Sequence, residues 1–136
     1  MSARGKARKR ALDLLYASEM RSESAVLALD RAIEAGEGPT NDYTDVLVRG
    51  VVENQDRIDD LLSTYSEGWT LARMPAVDRN VLRIGVFELL YVDDVPDAVA
   101  MTEAVSLVRD LSTDESPTFV NGILGAIAKS EPSPGV

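Results

Sequence analysis

The 136-residue chain carries 23 acidic and 14 basic side chains, a net charge of −9, and neither cysteine nor histidine. That excludes disulfides and thiolate zinc sites, and it removes the commonest general base and metal ligand together. At 45% hydrophobic and 27% charged, the composition is that of a globular chain of one domain or two small lobes. No apolar run approaches the roughly 20 residues of a membrane span.

The charge is unevenly divided. The first ten residues hold Arg4, Lys6, Arg8, Lys9 and Arg10 and no acid. "LDLLYASEM" follows, broken by Asp13 and Glu19, so the basic start lacks the apolar stretch of a signal peptide and a cytoplasmic location is expected. Residues 4–20 read as a helix with Ala7, Ala11, Leu14, Leu15 and Ser18 on one stripe. Lys6, Lys9, Asp13, Tyr16 and Met20 face the other way, Arg10 lies beside them, and Arg4 and Arg8 fall nearer the apolar side. Cations at a helix N-terminus oppose the helix dipole, which points to a ligand for them.

Residues 24–35 form a second helix, capped by Ser22 or Ser24, with Val26, Leu29 and Ile33 inward. "GEGPTN" ends it in a loop. Residues 41–65 read as one long helix, with Tyr43, Leu47, Gly50, Asn54, Ile58, Leu61 and Tyr65 at spacings of three and four. "SEGW" breaks the pattern near Gly68, and Trp69 and Leu71 stand on a short turn before Pro75. Residues 76–92 form a largely buried helix, ended by "DDVPD" because a residue before proline avoids helical backbone. Another helix spans 102–111. Ser112 and Glu115 have the spacing of a capping box before a final helix striped by Phe119, Val120, Ile123, Leu124 and Ile127. Pro117 suits its first turn. Residues 131–136 read as a frayed tail. No strand and no repeat emerges, so the expected fold is all-α: about seven helices in two three-helix bundles sharing a core. The bundles span about 4–66 and 69–130 of a single domain.

Chemistry has little to stand on. Asp56, Asp59 and Asp60 lie on one helix face without the loop of a calcium site, and they read as a solvated face. Arg83 and Glu88 punctuate an apolar helix as partly buried groups that need partners, and Asp78 suits the helix start. Gly122 inside the last helix costs about 1 kcal/mol against alanine, so close packing by another helix is expected there. No phosphate loop, nucleophilic triad or metal cluster is present, and no cofactor is expected. The basic face with Tyr16 remains. Single-stranded RNA needs phosphate-neutralising cations and an aromatic for a base to stack on, and Arg4, Lys6, Arg8, Lys9, Arg10 and Tyr16 supply both.

"RKRALDLLYASEM", "WTLARMPAVDRNVLRIGVFELLY", "DVPDAVAMTEAVSLVRDLS" and "FVNGILGAI" occur in this order. From about residue 7 to 128 the chain thereby resembles the NusB family of bacterial transcription antitermination factors, in its actinobacterial form. The resemblance implies two three-helix bundles and a non-enzymatic protein. It implies binding to the single-stranded boxA element of nascent RNA, together with the ribosomal protein NusE. With other Nus factors on RNA polymerase, such proteins suppress premature termination, notably in ribosomal RNA operons. Carried over, the arginine-rich motif falls on Arg4, Lys6 and Arg8 and the RNA-facing tyrosine on Tyr16. Asp78 and Glu115 take the acidic positions tied to complex assembly, and the "FVNG" block falls on Phe119, Val120, Asn121 and Gly122. Asp78, Glu115, Phe119 and Asn121 are therefore the expected partner-binding residues. Lys9 and Arg10 add charge to the family pattern, Asp78 stands for a glutamate, and Thr118 for a lysine. The family fold also opens ribosomal RNA methyltransferases, and the expectation here is the form without a catalytic domain. The competing class is a helical protein–protein adaptor, or a self-associating homodimer, that never touches RNA.

Overall fold

A computed structural model of the protein describes residues 2–131, and within them the chain forms seven α-helices and no strand. They are α1 (Ala3–Met20), α2 (Ala25–Glu34), α3 (Asp42–Glu53), α4 (Gln55–Tyr65), α5 (Ala76–Tyr91), α6 (Asp97–Leu111) and α7 (Ser116–Ser130). The chain divides into two units, one running up to Glu53 and one from Asn54. The expected long helix 41–65 is therefore two helices. Asn54 leaves helical backbone at φ −107° and ψ 14°, as asparagine readily does. Helix α4 packs against α5 and α7. Among the described residues the first unit holds three α-helices and the second four, seven in all as expected.

In the first unit α1 packs on α2 and α3, and α2 on α3. Ser2 opens α1, its hydroxyl accepting the Gly5 N–H at 2.9 Å. Ser24 caps α2 by accepting the Leu27 N–H at 3.2 Å. Ala7, Ala11, Leu12 and Leu15 of α1 are buried, as are Leu29 of α2 and Leu47, Val48 and Val51 of α3. Leu12 takes the fully buried place that the periodicity gave to Leu14, which is half-buried. Ile33, expected inward, is 48% exposed, because α2 ends one residue later and the chain turns away. Gly36 at φ +76° makes that turn. Its N–H bonds to the Ile33 carbonyl and the Glu37 N–H to the Ala32 carbonyl, the pairing that closes a helix on a left-handed residue. Arg49 ties α3 to α2, donating to Asp30 at 2.6 Å and to Asp45 at 2.9 Å. The hydrogen bonds to Asp30 and then Asp45 hold its pKa above the ordinary arginine value.

In the second unit α5 packs against α4, α6 and α7. Every residue from Val81 to Leu90 is buried. Arg83 meets its need for a partner through Asp59 on α4, with Nε and Nη2 donating to the two carboxylate oxygens at 2.9 and 3.1 Å. So Asp59, read from the sequence as solvated, anchors α4 on α5. The close helix approach lies at Gly85, not at Gly122. A Cβ on Gly85 would stand 2.9 Å from Leu124 Cδ1, whereas one on Gly122 meets nothing within 4 Å. Helix α6 begins five residues before the expected start, directly after Pro96, whose fixed φ suits a helix entrance. The Ser112–Glu115 capping box is not formed: Glu115 makes no side-chain cap bond, and the Ser112 hydroxyl donates to Asp78 instead. Pro117 does occupy the first turn of α7. The tail read at 131–136 lies outside the described residues except for Glu131, which accepts from Tyr65 Oη at 3.0 Å and pairs with Arg57.

Candidate nucleic-acid interface

The first turns of α1 carry the cations, and the α2–α3 loop lies beside them. Lys6 and Arg10, one turn apart, are both exposed. With Pro39, Thr40, Asn41 and Thr44 they line a surface notch of about 280 Å³. The two exposed cations suit a phosphate, while the Asn41 amide and the buried Thr44 hydroxyl are taken up by bonds that hold the notch together. Tyr16 is 38% exposed and lies about 9 Å along the helix axis from Arg10, so its ring is open to stacking.

The other cations are differently committed. Arg8 is only 3% exposed and lies over the Tyr43 ring, its guanidinium carbon 5.7 Å from the centroid. Arg4 is exposed and lies over the same ring at 4.3 Å. Lys9 pairs with Asp13, its ammonium 2.8 and 2.9 Å from the two carboxylate oxygens. The five cations are thus a pair at a notch, a pair on a tyrosine and one in an ion pair.

The second cluster lies in the second unit. Asp78, 2% exposed in the first turn of α5, accepts from Ser112 Oγ at 2.6 Å and Ser116 Oγ at 2.8 Å. Ser116 also lies 2.8 Å from Thr113 Oγ1. This network holds the α6–α7 turn, which carries the exposed Glu115. Asp78, Glu115 and Phe119 line a cleft of about 160 Å³ with Trp69 and Pro75. Trp69 is 50% exposed, and its ring centroid lies 5.6 Å from that of Phe119. Asn121 is exposed on α7 and is not among the residues that line the cleft. Three of the four expected partner residues therefore meet at one aromatic cleft with an acidic rim.

Sequence reasoning missed Asn41, Thr44 and Tyr43 beside the cations, and Trp69 beside Phe119. Asn41 stood in a loop, Tyr43 on a stripe read as core, and Thr44 drew no reading of its own. Only Trp69 carried a signal of its own, a bulky apolar residue next to a glycine break. Among the described residues no group of acids could hold a metal, and no helix is long and apolar enough to cross a membrane.

Residues 5–129 match the sequence model of the NusB family. A transcription antitermination protein NusB from a Nocardioides species is 75% identical over 133 residues, covering 98% of either chain. A solved structure of NusB from T. maritima superposes with a TM-score of 0.86 at 36% identity, covering 98% of this chain and 95% of that one. A solved complex of the antitermination factors NusB and NusE with double-stranded RNA contains a similar chain: TM-score 0.80, 28% identity, 93% and 96% covered.

Proposed function

The chain belongs to the NusB family, and on that footing we propose that it is an RNA-binding transcription antitermination factor. It binds the boxA element of nascent transcripts together with NusE, and with other Nus factors it keeps RNA polymerase processive through ribosomal RNA operons. It acts as a cytoplasmic adaptor and not as an enzyme. The observation that carries the RNA reading is the exposed Lys6 and Arg10 pair, one helical turn apart at one surface notch. Arg4 extends that grip, and Tyr16 stacks on a base. Lys9 joins when it lets go of Asp13, and Arg8 supports the grip from its buried place.

NusE, a small-subunit ribosomal protein in this reading, supplies a basic partner for an acidic body of net charge −9. Glu115, Phe119 and Asn121 form the contact, and Asp78 holds the turn beneath them. The related complex contains NusB and NusE with double-stranded RNA, so the deciding titration carries both RNA forms. Short single-stranded boxA-like RNA, a scrambled strand and a duplex are titrated at several salt concentrations, with and without NusE. Selective binding of the boxA-like strand, tightened by NusE and weakened by salt, supports the proposal. Binding that ignores sequence and NusE would leave a nonspecific cationic patch. No RNA binding together with concentration-dependent self-association would favour the homodimer.

A further inference from the structure

We propose that Tyr43 is a positioning residue for the RNA grip: its ring fixes the α1 arginines, and above all Arg4, in the place from which they meet RNA. This rests on the RNA-binding reading and adds a residue on another helix that never touches the ligand.

The geometry begins at the start of α3. Asn41 Oδ1 accepts the Tyr43 N–H at 2.8 Å, while Asn41 Nδ2 donates to the Ala3 carbonyl at 3.3 Å. One turn along α1, the Thr44 hydroxyl donates to the Ala7 carbonyl at 3.1 Å. These bonds fasten the first turns of α1 to the N-terminus of α3, with Tyr43 between them. The ring is 7% exposed and so has little freedom of its own. Two guanidinium carbons lie near its centroid, Arg4 at 4.3 Å and Arg8 at 5.7 Å. Both distances are within the reach at which a cation is drawn to an aromatic ring.

The two arginines use the ring differently. Arg8 is buried and completes the packing. Arg4 is exposed, in the first turn of a helix whose N-terminal dipole and neighbouring cations push it away. An exposed arginine has many rotamers to lose, and ordering it on a phosphate costs free energy at binding. Resting one face of the guanidinium on a fixed ring lowers that cost before RNA arrives. The ring therefore contributes to affinity by preorganisation, through Arg4.

Four variants test this with single-stranded boxA-like RNA in the presence of NusE: Tyr43→Phe, Tyr43→Leu, Arg4→Ala and the Tyr43→Leu/Arg4→Ala double. Tyr43→Phe keeps the ring and is expected to bind RNA more tightly than Tyr43→Leu does, because the arginine contact survives. Tyr43→Leu, shown to be folded by circular dichroism, is expected to bind about two- to fivefold more weakly, the effect of one partly exposed cation–π contact. In the Arg4→Ala background the same change is expected to cost little further, because both act through one contact. In the free protein, NMR should show ring-current shifts on the Arg4 side chain, kept in Tyr43→Phe and lost in Tyr43→Leu. A folded Tyr43→Leu that binds as the parent does, or whose loss persists undiminished without Arg4, overturns the positioning role and leaves the RNA reading intact. A parent protein that binds no RNA overturns that reading and this role with it, while the ring-current shifts still report whether the ring holds the arginine.

Discussion

Asp78 and Ser116 are joined by a hydrogen bond of 2.8 Å, in which the carboxylate at the start of α5 accepts from the hydroxyl at the start of α7. Ser112, at the end of α6, donates to the other oxygen of the same carboxylate. One buried acid therefore holds both ends of the α6–α7 turn. Asp78→Ala removes the acceptor and leaves two hydroxyls without it. The expected cost is about 1–3 kcal/mol of unfolding free energy, measured by urea denaturation. Because Glu115 and Phe119 ride on that turn, NusE binding should weaken in a variant that is still folded. Ser112→Ala, removing one donor of two, should lose less in both measurements.

The N-terminal cations should separate by role. Lys6→Ala and Arg10→Ala each remove an exposed charge at the notch. Each should flatten the dependence of log K on log salt by about 0.7, the contribution of one phosphate contact on a single strand. Thermal stability should hardly change. Arg8→Ala takes a buried side chain from the Tyr43 ring, so its main loss should appear in stability, with a smaller change in salt slope. Equal slope changes in all three would mean that Arg8 leaves its buried place to meet RNA.

Asp13 restrains the remaining cation. It lies four residues from Lys9 and accepts from the ammonium through both oxygens. The pair is solvent-exposed, so its own contribution to stability is about 0.5 kcal/mol or less. Asp13→Ala frees Lys9 and removes a negative charge beside the RNA path. Tighter binding and a steeper salt dependence are the expected results in a salt titration. Unchanged binding would remove Lys9 from the interface.

The helical plan was legible in the sequence because the apolar spacing is regular and Pro75 and Pro117 mark helix entrances, whereas Pro96, read from the sequence only as ending α5, also opens α6. The split at Asn54 was not, since Gly50, Asn54 and Ile58 keep the spacing of one unbroken helix across the break. The basic face was legible as composition on one helix. The commitments of Arg8 and Lys9 were not, because one depends on Tyr43 in a different helix and the other on a side-chain rotamer. Asp78 shows a further kind of hidden role. An acid near a helix start satisfies the dipole rule, and nothing local announces that two serines more than thirty positions away will close on it.

Glycines at two helix positions allow the packing to be tested directly. Gly85 lets α5 approach α7 so closely that a Cβ would stand 2.9 Å from Leu124 Cδ1 and 3.2 Å from its Cδ2. Leu124 is fully buried and has little room to retreat. Overpacking of this kind costs about 1–3 kcal/mol, against a helix-propensity gain of about 1 kcal/mol, so Gly85→Ala should be neutral to destabilising by about 2 kcal/mol. At Gly122 a Cβ meets nothing within 4 Å. Only the propensity gain acts there, and Gly122→Ala should stabilise by about 1 kcal/mol. Parallel urea melts of the two variants decide the matter. Gly122 also lines a groove with Tyr65, Thr118 and Phe119. If the stabilised Gly122→Ala protein binds NusE less well, the missing side chain serves the partner and not the fold.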